Sequence, residues 1–371
     1  MILKNCTFFN EFFDKEFGDI KIEIGKISLI GYFNEDGKDM SGKIILPGFV
    51  DIHIHGGGGG DFCDATPQSI DLMSTYLAKH GVTSFCGTTM TLPHSKLKEI
   101  VANASDHNAK KSKLVGINLE GPYIALNKKG AQNGEYVRGG SIDELNELID
   151  AGKGKIKIIT VAPEAENNQE FVKKASQMLC VSVGHSNANA KECQTAFDNG
   201  ARLATHLFNA MTPMTHREAG VVGTALDNKN VACELICDGE HICPAVLRNA
   251  FAILGDNRAC VISDSMRGAG LGVGKFELGG QTAYVKVGYK VAKLADGTIA
   301  ASITNVFDEF KNLVNWGIDF VSALKSCTIN PATVIGEQEN IGSIAIGKWA
   351  DLLVVDDQLN LEEVYINGEI A

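Results

Sequence analysis

The sequence predicts an α/β chain: a (β/α)8 TIM-type barrel over residues 47–341, with a small β-sandwich domain built from 1–46 plus 342–371. Three observations predict it. Eight short apolar runs alternate with helical segments from residue 47 onward. Those runs lack a clean polar–apolar alternation, as strands covered on both faces of a parallel sheet do. The two ends of the chain, by contrast, alternate with period two, which marks antiparallel strands.

At the N-terminal end, DIKIEIGKISLIGYF alternates around glycines and reads as paired strands. The eight barrel runs follow: Gly48–His55, Gly81–Met90, Leu114–Tyr123, Lys155–Pro163, Met178–His185, Arg202–Met211, Val231–Gly239 and Ala259–Asp264. Eight βα units are what a barrel of about 250 or more residues requires. Thr66-Pro67 opens a helix that Gly81 closes, with Pro in the first turn where its missing N–H costs nothing. Ser141, followed at Glu144 by an acid, reads as a second capped start. Only one short helix, KECQTAFDNG, fits between His185 and Arg202, so those two strands are neighbours. The tail GSIAIGKWADLLVVD alternates again and completes the small domain.

Composition narrows the function. Lys+Arg number 34 against 45 Asp+Glu, a net charge of −11, and a nucleic-acid binder needs a basic face instead. The first residues carry acids where a signal peptide would be apolar, and no apolar run reaches the roughly 18 residues of a membrane span. Ten cysteines without a CxxC pair suit reduced thiols. A soluble, cytoplasmic chain that binds neither nucleic acid nor membrane is therefore expected. Glycine is in excess, 40 of 371 or about 11% against a usual 7% or so. The run Gly56–Gly60 has no GxxxxGK[ST] pattern, so it reads as backbone that must pass close to the rim where the candidate ligands gather rather than as a phosphate loop.

In a parallel barrel the active site gathers at the C-terminal ends of the strands. Here those ends carry His53 and His55, Glu120, His185, His206, Asp238 with His241 just beyond, and Asp264. Each has an ordinary reading as a polar core or capping residue when taken alone; their sharing one rim is what argues for chemistry. His53 and His55 alternate along a strand, so both imidazoles face one side and can share an ion. Glu120, His185 and His206 make a two-imidazole, one-carboxylate set with room for water, the pattern of a catalytic site for zinc, iron(II) or a similar divalent ion. His53 and His55 could hold a second ion bridged by Glu120. Asp264 can take a proton from an activated water and return it to a leaving group.

The segments PGFVDIHIHGGGGGDF, EGPYIALNKKGAQNGEYV, VGHSNA, THLFNAM with HREAG, DGEH, SDSMRGAG and GSIAIGKWADLLVVD together resemble the N-acetylglucosamine-6-phosphate deacetylases of the amidohydrolase superfamily. The resemblance spans essentially the whole chain. It implies hydrolysis of the N-acetyl group of N-acetylglucosamine 6-phosphate to glucosamine 6-phosphate and acetate, in amino-sugar catabolism, with one or two divalent ions per subunit. Glu120, His185 and His206 would hold the principal ion, His53 and His55 a second, and Asp264 would be the acid/base. The resemblance further implies substrate contacts from Asn209, Ala210, Arg217 and His241, with Ala131, Gln132, Ile299, Ala300 and Ala301 lining the sugar pocket.

Some members carry His where this chain has Gln132, and the pattern LAGS stands here as Ile299-Ala300-Ala301-Ser302. Phosphate contacts in the family can come from a neighbouring subunit, so a homodimer or a higher homo-oligomer is expected. Physically, a chain of charge −11 must hold an anionic substrate with a few placed cations, and Arg217, whose planar fork suits phosphate, is the candidate. Three other readings stand beside this one. The N-acetylgalactosamine epimer differs by one hydroxyl. A cyclic-amide hydrolase would usually carry a carbamylated lysine where Glu120 stands. A non-catalytic sugar-phosphate sensor would be expected to lose the ligands and acid that are present here.

Overall fold

The computed structural model describes all of residues 1–371. Eight parallel strands run in chain order, each hydrogen-bonded to the next: Phe49–Ile54, Val82–Thr89, Lys113–Glu120, Ile156–Val161, Cys180–Val183, Leu203–Ala204, Ala232–Leu235 and Ala259–Val261. All eight predicted runs are these strands. Val82–Thr89 is buried at every position, as expected where helices cover one face and the barrel interior the other.

No strand ladder joins the first barrel strand to the eighth. The seam closes just beyond the strands, where Asp264 N–H donates to His53 C=O and His55 N–H to Ser265 C=O, each at 2.9 Å. Asp51 adds a side-chain tie by accepting the Ser263 hydroxyl at 2.6 Å. Val50, Ile52, Cys86, Ile158, Cys180, Leu203 and Cys260 form one apolar cluster with Ala332, Val334, Ile335 and Ile341. Residues from six strands of a ring meet only inside it, so this cluster fills the interior.

The predicted caps are present. Thr66 Oγ1 accepts Ser69 N–H at the start of Pro67–Lys79, and Ser141 Oγ accepts Glu144 N–H at the start of Ile142–Ala151. Ala190–Asp198 is the short helix between the fifth and sixth strands, opened by a reciprocal Asn189–Glu192 box.

Both termini enter one eight-stranded sheet. Its joint is Ile44–Pro47, which pairs in parallel with Ile2–Phe9 and antiparallel with Leu352–Val355. The sheet closes over its own core, including Leu3, Phe8, Ile20, Ile45, Leu352 and Tyr365.

One element has no counterpart in the sequence reading. Between the eighth strand and helix Val306–Asn315, the strands Gly274–Leu278, Gln281–Val285, Val291–Lys293 and Ile299–Ser302 form a four-stranded antiparallel sheet. Its inner face, including Leu278, Ala283, Val285 and Ala292, packs on Met90 and Met266 beside the rim. No helix is long and apolar enough to cross a membrane, and all ten cysteines are free.

Candidate metal centre and substrate cavity

The barrel brings His53, His55, Glu120, His185, His206 and Asp264 to one end, and all six are buried. Glu120 is the hub. Its Oε1 lies 2.9 Å from His185 Nε2 and 3.0 Å from His206 Nε2, while its Oε2 lies 3.3 Å from His55 Nε2. His55 Nε2 is also 3.3 Å from Asp264 Oδ1. The ligand atoms form two adjoining groups, Glu120–His185–His206 and His53–His55–Asp264.

Three imidazoles are oriented alike. Nδ1 donates outward to the carbonyl of Lys128 from His185 (2.8 Å), to the carbonyl of Thr88 from His55 (3.2 Å), and to Glu234 from His53 (2.9 Å). Each Nε2 lone pair then points to the centre, the arrangement that metal-ligating histidines adopt. His185 Nε2 and His206 Nε2 stand 3.1 Å apart, and His53 Nε2 is buried without any hydrogen-bond partner. Converging lone pairs and an orphaned buried nitrogen are costly without a cation between them, so the residues present fit divalent ions.

Electrostatics point the same way. Burial opposes a charge on His53, but Glu234, Asp264 and Glu120 outweigh it and raise the imidazole to about 9. His55 is raised well above its usual value because Asp264 and Glu120 overcome its burial. Burial likewise works against ionised Glu120 and Asp264, yet the His185 imidazole holds Glu120 well below the usual carboxylate range, and His53 and His55 lower Asp264. No lysine or arginine makes an ion pair with Glu120, Asp264 or Glu234.

The backbone is unusual where it presents these groups. His185, His206 and Asp264 have φ of 47°, 27° and 44°, a left-handed conformation that costs non-glycine residues roughly 1–3 kcal/mol each and concentrates at functional sites. The glycine run beside them is a tight hairpin, Gly56–Gly57 against Gly60–Asp61. A Cβ on Gly56 would lie 2.5 Å from Gly60 O and 2.6 Å from Arg267 N, so the residue after His55 packs backbone on backbone, and what the run approaches most closely is its own hairpin and the Arg267 backbone.

A cavity of about 420 Å³ opens above the centre, within the range of small-molecule sites. Ala131, Gln132, Asn209, Ala210, His241, Ile299 and Ala300 line it together with His55, Glu120, His185, His206 and Asp264. Asp238 fixes His241, accepting its ring Nδ1–H at 2.7 Å and its backbone N–H at 2.8 Å.

Three expectations need adjustment. Ala301 lies behind the wall, buried with Met266 and Ala292, because the strand alternation that turns Ala300 to the cavity turns Ala301 away. Gln132 is bonded to the centre itself, its Nε2 donating to Glu120 and its Oε1 accepting Thr91 N–H at 2.6 Å. Arg217 does not line this cavity. It is exposed on the loop after the sixth strand without an ion pair, and Glu218 is engaged elsewhere, accepting the N–H groups of Ala190 and Gly220.

The lysine that does line the cavity, Lys128, was not singled out, although it stands in the quoted KKGAQ segment. Glu234 was missed as well; its signal was one acid inside the apolar run VACELIC.

An amidohydrolase family model matches residues 44–371. An N-acetylglucosamine-6-phosphate deacetylase of Bacillus subtilis is 34% identical over 95% of this chain and 92% of its own length. An N-acetylgalactosamine-6-phosphate deacetylase of Escherichia coli O157:H7 is 31% identical over 95% and 94%. A solved N-acetyl-D-glucosamine-6-phosphate deacetylase of Mycobacterium smegmatis, an Asp→Ala variant in complex with N-acetyl-D-glucosamine 6-phosphate, superposes with a TM-score of 0.93 at 28% identity, covering 100% of this chain and 98% of that one.

Proposed function

The chain belongs to the amidohydrolase family, and from that premise we propose that it hydrolyses the N-acetyl group of N-acetylglucosamine 6-phosphate, giving glucosamine 6-phosphate and acetate. The observation that carries this reading is the placement of Asp264 and both histidine groups around Glu120, at the floor of a cavity also lined by Ala131, Asn209, Ala210 and His241.

An amide is a poor electrophile and water a poor nucleophile at neutral pH. Glu120, His185 and His206 would hold a divalent ion, which when bound would supply Lewis acidity towards the acetamide carbonyl and a water pKa lowered towards about 7. Asp264, kept ionised against its burial by His53 and His55, takes the proton of the attacking water on its carboxylate. As the C–N bond breaks it delivers that proton to the amine nitrogen of the sugar. Gln132, clamped between Thr91 and Glu120, holds the Glu120 carboxylate in one rotamer. Asp238 turns His241 so that its Nε2 meets the substrate, and Asn209, Ala210, Ala131, Ile299 and Ala300 shape the sugar pocket.

The finer readings rest on the family resemblance and on the exposure of Arg217. The ion is zinc or iron, and the histidine pair makes room for two. The protein works as a cytoplasmic homodimer in which Arg217, exposed and unpaired in its own chain, reaches the phosphate in the cavity of the partner. Acetate release from the gluco and galacto 6-phosphates, measured beside the metal content, tests the function. Faster turnover of the galacto epimer would overturn the substrate, and full activity in the chelated protein would overturn the metal.

A further inference from the structure

We propose that Glu234 is the positioning residue that commits His53 to a second metal ion. This rests on the reading of the rim as a metal centre. Glu234 sits in the seventh barrel strand, Ala232–Leu235, with no exposed surface. Its Oε2 accepts two hydrogen bonds, from His53 Nδ1–H at 2.9 Å and from the backbone N–H of His206 at 3.1 Å. Its Oε1 is buried with no partner. A carboxylate this dry, with no lysine or arginine beside it, is expensive unless positive charge lies close by.

The geometry shows where that charge belongs. With Nδ1–H spent on Glu234, the only free nitrogen of His53 is Nε2, which lies 3.6 Å from Glu120 Oε1 and 3.7 Å from Asp264 Oδ1, too far from either for a hydrogen bond. Those separations leave His53 Nε2 without a partner beside His55, Asp264 and Glu120, the atoms among which a second ion would be held. Three carboxylates, Glu120, Glu234 and Asp264, bear on the ligand imidazoles. One divalent ion leaves that set negative. Two leave it with a single positive charge facing the cavity, which suits the oxyanion that develops when an amide is attacked. Glu234 thus links the two groups through one oxygen, setting the ring of His53 and the backbone that carries His206.

The test is metal binding by the full-length protein, stripped with a chelator and titrated with zinc alone or with cobalt followed by its absorbance. Wild type takes up two ions per chain, and His53→Gln takes up one. Glu234→Ala binds the second ion about ten- to a hundredfold more weakly, the usual effect of removing a carboxylate behind a ligating histidine, with the first ion affected far less. Glu234→Gln retains an acceptor oxygen and recovers part of the loss; it also serves if the alanine variant does not fold. Uptake of two ions with unchanged affinities in Glu234→Ala, or equal weakening of both, would overturn the role of Glu234. A single ion in wild type would overturn the second site itself.

Discussion

Gln132 lies against Glu120, donating its side-chain amide to one oxygen of the carboxylate around which both histidine groups are arranged. The other end of the same amide is fixed by Thr91 N–H, so neither group can be lost without stranding the other. Gln132→Leu keeps the volume and removes both bonds. It leaves the buried Thr91 N–H unpaired, for a stability loss of about 1–3 kcal/mol, and it frees the Glu120 carboxylate. Denaturant melts and turnover on the same preparation check it; an unchanged melt would show that Thr91 finds another acceptor.

Asp264→Asn keeps the shape of the acid and removes its base. Turnover falls by about two to four orders of magnitude, the range for loss of a positioned acid/base, while the protein still folds. Acetate release and a thermal melt are the two measurements, and retained activity would assign the proton transfer to another group.

Arg217→Ala raises KM for the phosphorylated sugar and leaves unphosphorylated N-acetylglucosamine unaffected. Mixing this variant with Asp264→Asn after dissociation and reassociation restores a low-KM component of turnover if the guanidinium acts across a subunit boundary. A mixture that keeps only the raised KM would remove the cross-subunit role.

Asp19 offers a pH test remote from the centre. Burial works against its charge, but the N–H groups of Phe33 and Asn5, each at 2.9 Å, and Lys4 outweigh that and hold the carboxyl below its usual range. A lowered native value means stability that is fully present above the unfolded pKa of about 3.9 and lost as pH falls through the folded one. Asp19→Asn is therefore less stable than wild type near neutral pH, and the difference shrinks in acid. Urea denaturation at pH 7 and at about pH 2, below the folded carboxyl, measures it; a pH-independent difference would mean that the charge contributes nothing.

The barrel was legible because strands covered on both faces leave continuous apolar runs, and Gly81–Met90 or Ala259–Asp264 admits few other readings. The rim residues were legible because polar groups ending such runs stand out. The antiparallel sheet over 274–302 was not: Gly274–Leu278 and Gln281–Val285 are half-exposed strands with a weak pattern, buried mainly at Leu278, Ala283 and Val285. Arg217 could be named as a cation, but the position of its loop relative to the cavity depends on the turn after His206, where Phe208 and Ala210 also take left-handed backbone. Glu234 was hidden because an acid in a strand looks like an outward residue until the barrel closes around it.

The seam between the first and eighth strands is fastened by the segments that carry His53, His55 and Asp264. The catalytic end is thus also the clasp of the ring, and anything that unfastens it carries the proposed proton acceptor away from the histidines it faces. Warming should silence the enzyme before it melts, with the amides of His55 and Asp264 exchanging their hydrogens ahead of those in the ladders opposite. An ion seated between these residues would act as a rivet, so that loading the centre also tightens the barrel.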